Sequence, residues 1–185
     1  MAAGVQYLAL LRGVNVGGKN LVRMAELRAA FEDLGLDEVA TYIQSGNVLF
    51  RAPRQPAEKL SARLETELTN RFGIELKLVL LTHTQMRAVI DGAPAGYGGP
   101  DYRCDVLFLR KPLTVKRAFA ALEMKEGVDQ AWPGRGVVYF ARLDAKASSS
   151  RINRIVMKAE YQNMTLRSWS TTTKLAGLLG ISRSG

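Results

Sequence analysis

The sequence has little of the chemistry that marks a metalloprotein or a thiol enzyme. One cysteine and one histidine stand among 185 residues. A single cysteine excludes an internal disulfide. One histidine plus one cysteine cannot supply a zinc site of the usual His/Cys type, a c-type haem attachment or an iron–sulfur centre. Carboxylate-only metal sites aside, no metal and no cofactor is expected. Long hydrophobic runs are missing too. The longest apolar stretches, such as Leu8–Leu11 and Leu78–Leu81, have strand length, whereas a membrane span needs about 20 apolar residues. The first residues carry no basic leader and no small-residue cleavage site after an apolar run, so no signal peptide is read there. A cytoplasmic chain with one reduced thiol is the expectation.

What is present is an ordinary globular composition, 47% hydrophobic and 23% charged, long enough for one large domain or two small ones. The formal net charge is +9, and it is unevenly placed. Residues 1–92 carry 11 Lys and Arg against 10 Asp and Glu, while residues 93–185 carry 15 against 7. Two unlike halves are the first inference.

The pattern of the first half is clear. Val5–Arg12 is apolar at nearly every position and reads as a buried strand. After the Gly/Asn loop Gly13–Asn20, the residues Met24, Leu27, Phe31 and Leu34 recur at helical spacing before Gly35. Val39–Gln44 and Val48–Arg51 read as a hairpin around Ser45-Gly46-Asn47. Leu60, Leu64, Leu68 and Phe72 mark a second helix ended by Gly73, and Ile74–Leu81 closes as a strand. The order β-α-β-β-α-β is that of the split βαβ, or ferredoxin-like plait.

The second half repeats the order. It opens with a short helix around Met86, Val89 and Ile90 and a Gly/Pro-rich loop, Ala93–Tyr102. Strand Asp105–Arg110 follows, then a helix with Ala118, Phe119 and Leu122, and strands Val128–Trp132 and Val137–Leu143. A helix with Ile152, Ile155, Val156 and Ala159 inward, a strand Thr165–Trp169 and a helix Thr171–Leu179 capped by Ser170 or Thr171 complete it. The expected fold class is therefore α+β: two tandem ferredoxin-like (βαββαβ, alpha-beta plait) halves with antiparallel sheets and extra helices in the linker and at the C-terminus. The expected boundaries are 1–82 for the first plait, 83–103 for a linker with a short helix and 104–185 for the second. Both faces of the first strand are apolar, which predicts a cover for its open face, either the second domain or a second subunit in a homodimer.

This topology sends the loop after strand one and the hairpin between strands two and three to the same sheet edge. Arg12, Asn15, Gly17, Gly18, Lys19, Asn20, Gln44, Ser45, Gly46 and Asn47 gather there. Spare backbone N–H groups and two cations suit a small anionic or polar ligand, and turn chemistry alone also explains the Gly and Asn residues. The run Gly13 to Asn20 matches G-x-x-x-x-G-K but lacks the final Ser/Thr that holds Mg²⁺ in phosphate-loop enzymes, and its helix starts too late. Cys104 and His83 form no recognisable nucleophile–base pair, and the carboxylates show no paired motif, so no catalytic constellation is read.

The basic second half supports an alternative, nucleic-acid binding. Arg103, Arg110, Lys111, Lys116, Arg117, Arg135, Arg142, Lys146, Arg151, Arg154 and Lys158 would form the phosphate-facing surface. Phe108, Tyr139 and Phe140 would be its stacking aromatics, though no RNP string surrounds them. A protein-interaction or oligomerisation module is the third class, motivated by the apolar open face.

Three motifs carry a family resemblance. They are the run from Tyr7 to Asn20 followed by Met24-Ala25-Glu26-Leu27, the run Thr41-Tyr42-Ile43-Gln44-Ser45-Gly46-Asn47-Val48, and Thr165-x-Arg167-x-Trp169-x-Thr171-x-x-Lys174-Leu175. Together they resemble the bacterial family called domain of unknown function 1697 over nearly the whole chain. The resemblance implies two ferredoxin-like halves and no known activity. It adds Arg167, Trp169, Thr171 and Lys174 as second-half candidates. Ser168 and Ser170 stand where the family usually has Asn, which puts any ligand contact of those amides in doubt.

Overall fold

A computed structural model describes residues 4–18 and 20–182. The chain divides after Gln85 into two compact units, and each is α+β with a four-stranded antiparallel sheet.

The first unit runs β1 (Val5–Leu11), α1 (Met24–Asp33), β2 (Asp37–Tyr42), β3 (Asn47–Ala52), α2 (Ala57–Phe72) and β4 (Leu78–Thr82). Its strand order is β2-β3-β1-β4. Tyr7, Ala9 and Leu11 of β1 share one core with Leu27 and Phe31 of α1 and Leu60, Leu64 and Leu68 of α2. The i, i+4 Leu stripe is what a 16-residue helix needs to cover a sheet. Gly73 ends α2 in the left-handed conformation, φ 66°, which a glycine adopts without Cβ strain. Leu8 and Leu10, on the alternate side of β1, are also fully buried.

The second unit contains β5 (Tyr102–Leu109), α4 (Val115–Ala121), β6 (Asp129–Pro133), β7 (Val137–Leu143), β8 (Met164–Ser168) and α5 (Trp169–Leu178). The order is β6-β7-β5-β8. Helix α3 (His83–Asp91) spans the division between the units. Leu107, Val138 and Phe140 pack under α4 and the segment that follows β7.

That segment departs from the sequence expectation. The sequence predicts a helix with Ile152, Ile155, Val156 and Ala159 inward. The chain instead makes three short 3₁₀ stretches, Asp144–Ser149, Ile152–Met157 and Ala159–Asn163. Ile152 and Ile155 are buried, while Val156 is 52% exposed and Ala159 is exposed. Three residues per turn bring positions i and i+3 into line and rotate i+4 away.

Residues 83–103 also do more than link. Tyr97 is buried, and its hydroxyl meets the carbonyls of Asp105 at 2.7 Å and Phe140 at 2.9 Å. Its ring stands edge-on to Trp132, Tyr139 and Trp169 with centroids 5.0 to 6.0 Å apart.

Candidate functional site

The edge of the first sheet is built as its topology requires. The Leu11 N–H donates to the Gly46 carbonyl at 2.8 Å, which sets the end of β1 against the β2–β3 hairpin. A side chain then fastens the two loops together. The Asn15 amide donates to the carbonyls of Val22 and Gln44, both at 2.9 Å, and its oxygen accepts from the Val22 N–H at 2.8 Å. Asn20 donates to the Gly13 carbonyl at 3.2 Å and closes the loop on itself. In the hairpin, buried Asn47 donates to the Tyr42 carbonyl and the Ser45 hydroxyl, both at 2.9 Å. Gly46 has no room for a side chain, because a Cβ there would lie 2.9 Å from Leu11 Cβ.

Asn15, Asn20, Asn47 and Gly46 therefore hold the edge in shape. Gly17, Gly18 and Gln44 are exposed there, and Arg12 is half-buried. Gly17 and Gly18 sit at φ 59° and 73°, and among the described residues their N–H groups have no protein partner. Lys19, the remaining candidate of the loop, lies outside the described residues.

Two features of this edge escaped the sequence reading. Val16, Leu21 and Ile43 are 64%, 76% and 48% exposed, so polar loops carry an apolar rim. Ile43 also holds a left-handed backbone, φ 49°, which is an outlier for a β-branched residue. Among the described residues four non-glycine positions have positive φ, and three of them, Asn15, Asn20 and Ile43, belong to this edge. Asn in such a conformation is detectable in sequence as turn chemistry. Ile carries no such signal.

The second-half candidates lie in the second unit. Arg167 is buried, donates to the Thr165 hydroxyl and the Leu166 carbonyl at 2.8 Å, and has its pKa lowered to about 10 by burial, so it stays cationic at neutral pH. Trp169 is buried against the ring of Tyr97. The Thr171 N–H donates to the Ser168 hydroxyl at 3.2 Å, so the cap of α5 is Ser168 and not Ser170 or Thr171 as expected. Ser and Asn are near-equal N-caps, so the capping role is open to either residue at this position. Lys174 is exposed on α5.

The other readings fare unequally. Phe108, Tyr139 and Phe140 are fully buried, so they offer no stacking platform to a base. Arg103, Arg117, Arg142, Arg154 and Lys158 are ion-paired with Asp144, Glu160, Asp105 and Glu123 of the same unit. Lys158 and Arg154 hold the Glu123 carboxyl down to about 2. Burial pushes the Cys104 thiol up, which is the wrong direction for a nucleophile, and His83 is exposed on α3. The phosphate-loop reading has no support, since the sheet is antiparallel and α1 begins only at Met24. Among the described residues no helix is long and apolar enough to cross a membrane, and no group of three His, Cys, Asp or Glu side chains could hold a metal ion.

Comparison with known proteins agrees with this architecture. The chain is similar to a solved structure titled as the conserved bacterial protein SP0830 from Streptococcus pneumoniae, with a TM-score of 0.85 and 29% identity over 96% of this chain and 99% of that one. No curated protein matches. Residues 5–139, which hold β1 to β6, the start of β7 and both loops of the candidate edge, match the family described as Protein of unknown function (DUF1697). The chain belongs to that family.

Proposed function

We propose that the chain is two tandem ferredoxin-like halves, and that the edge of the first binds a small anionic or polar ligand between the loop 13–20 and the hairpin 44–47. The strand orders β2-β3-β1-β4 and β6-β7-β5-β8 support the first statement, because the same connection pattern occurs twice. The observation that carries the second is the strain gathered at this edge, with Ile43 left-handed beside Asn15 and Asn20. Backbone held in sparsely populated conformations concentrates at ligand sites, where the surrounding structure maintains it. The exposed N–H groups of Gly17 and Gly18 supply anion donors. Val16, Leu21 and Ile43 supply an apolar border. The lone free thiol at Cys104 supports a cytoplasmic setting.

Titrating the intact protein with nucleotides and phosphorylated metabolites, read by amide chemical shifts, tests the site. Saturable shifts at Gly17, Gly18 and Gln44, weakened by Lys19→Ala, are expected. Shifts absent from this edge for every probe, or unaffected by Lys19→Ala, would count against the assignment. Nucleic-acid binding through the second unit has less support, because its candidate aromatics are buried and five of its cations are already paired.

A further inference from the structure

The second unit contains a cleft of about 430 Å³ that the loop edge of the first does not share. It opens where the 3₁₀ stretches replace a covering helix. Arg103, Arg142, Asp144, Ser148, Ile152 and Asn153 line it. This volume lies within the roughly 300–1,000 Å³ usual for small-molecule sites.

Register places the two arginines side by side. Arg103 of β5 pairs with Arg142 of β7, and directly opposite side chains in an antiparallel pair start about 5 Å apart on one face. Two like charges so placed repel unless an anion lies with them. Two carboxylates now do this, but unequally. Asp105 holds Arg142 at 2.5 Å, both side chains about one-fifth exposed. Asp144 holds Arg103 with both side chains more than half exposed, and a pair so open to water contributes little. Ser148 and Asn153 also line the cleft, and their side chains have no partner among the described residues. Lys146 and Arg151 on the same segment are exposed and unpaired among the described residues.

We infer that this cleft binds a small phosphate-bearing polyol, such as a sugar phosphate. The phosphate takes the Arg103 fork from Asp144 and rests against Arg142. Ser148 and Asn153 donate to it or to its hydroxyls, and the released Asp144 accepts from a hydroxyl. A guanidinium fork matches a phosphate in two parallel bonds, and the exposed Asp144 pair is the contact most easily given up for it.

The test is titration of the intact protein with ribose 5-phosphate, with ribose and inorganic phosphate as separate arms, read by amide shifts. Saturable shifts centred on Ser148 and Asn153 are expected, tightest for ribose 5-phosphate. Arg103→Ala should weaken binding at least tenfold, and Arg103→Lys nearly as much, since lysine lacks the fork. Asp144→Asn should tighten inorganic phosphate several-fold by removing its competitor, while Glu123→Gln, which frees Arg154 and Lys158, should leave it unchanged. Equal tightening by both variants would reduce the effect to general surface charge and overturn the proposal. So would shifts confined to Gly17 and Gly18, an outcome that favours the loop edge instead, or binding of inorganic phosphate as tight as that of the sugar phosphate. The two sites therefore fail separately.

Discussion

The Asn15 side chain ties the loop after β1 to the hairpin, so its removal should test the construction of the edge. Asn15→Ala deletes three hydrogen bonds, to the carbonyls of Val22 and Gln44 and from the Val22 N–H. Each is worth about 1 kcal/mol net. Alanine must also hold a left-handed backbone, φ 56°, at a cost of about 1–2 kcal/mol. Asn15 is half-buried, so water recovers part of the lost bonding, and a total of about 2–4 kcal/mol follows. Asn15→Gly loses the same bonds without the strain and should cost about 1–2 kcal/mol less than alanine. Asn15→Asp keeps the acceptor for the Val22 N–H but turns a carboxylate toward two carbonyl oxygens. It should be destabilised at neutral pH and recover part of that loss when acidified, as the protonated acid regains one donor.

The assay is urea unfolding followed by far-UV circular dichroism and tyrosine emission. Both tryptophans, Trp132 and Trp169, lie in the second unit, so indole fluorescence would miss a change confined to the first. Hydrogen exchange at the Val22 amide gives the local reading and should accelerate in Asn15→Ala and Asn15→Gly but not in Asn15→Asp, which keeps the acceptor. An alanine variant within about 0.5 kcal/mol of the parent, the range of an ordinary surface substitution, would refute the reasoning, as would unchanged protection at Val22.

In Gly98→Ala a Cβ would lie 2.3 Å from Trp169 Cδ1 at φ 88°; a loss of about 2–4 kcal/mol and a red-shifted indole emission are expected, and an unshifted spectrum would mean that Trp169 is not packed as described. Asp129 accepts from the Lys125 and Arg151 N–H groups, both at 2.9 Å, so Asp129→Ala should cost about 3 kcal/mol and Asp129→Asn, which keeps a neutral acceptor, about 1 kcal/mol in tryptophan-detected urea unfolding; equal costs would refute the view that an acceptor alone serves there. Burial pushes the Tyr139 hydroxyl, which donates to the Val89 carbonyl at 2.6 Å, up to about 12. The folded state then holds its proton longer than the unfolded chain, so stability is full below pH 10 and falls between about pH 10 and 12. Tyr139→Phe should flatten that decline in alkaline melting curves, and an unchanged slope would assign the loss elsewhere. Tyr97, also pushed up by burial, should keep the decline from vanishing.

How far the sequence could be read depended on whether a residue's partners were near in chain or distant. The Leu60, Leu64, Leu68 stripe is a local period, and α2 lies where it points. The meeting of the loop 13–20 with the hairpin was legible too, because it follows from strand direction alone. The use of Asn15 was not. Its amide reaches Gln44, 29 positions away, and nothing local separates an Asn that binds a ligand from one that ties two loops. Tyr97 escaped for the same reason. A tyrosine in a Gly/Pro loop reads as surface, and only the facing Trp132, Tyr139 and Trp169 make it an anchor. The segment after β7 failed differently. Ile152 and Ile155 fit 3.0 and 3.6 residues per turn equally well, and the discriminating position, Val156, is apolar yet exposed.

The failure of that segment to form an α-helix has causes in its own residues, and they bear on function. Ser148, Ser149 and Ser150 compete for the backbone, and Asn153, Ile152, Ile155 and Val156 are weak helix formers. Asp129 then fixes the Arg151 N–H from a neighbouring strand, a bond that belongs to no helix. The equivalent place in the first unit is filled by α2, sixteen residues with Ala57, Leu60, Ala62, Leu64 and Leu68, which covers its sheet along its length. The same strand order thus receives a continuous lid in one unit and a broken one in the other. Where the lid is broken, the sheet's own side chains, Arg103 and Arg142, reach a cleft. One strand order therefore leaves different side chains accessible in the two units, because a few weak helix formers set what lies over the second sheet.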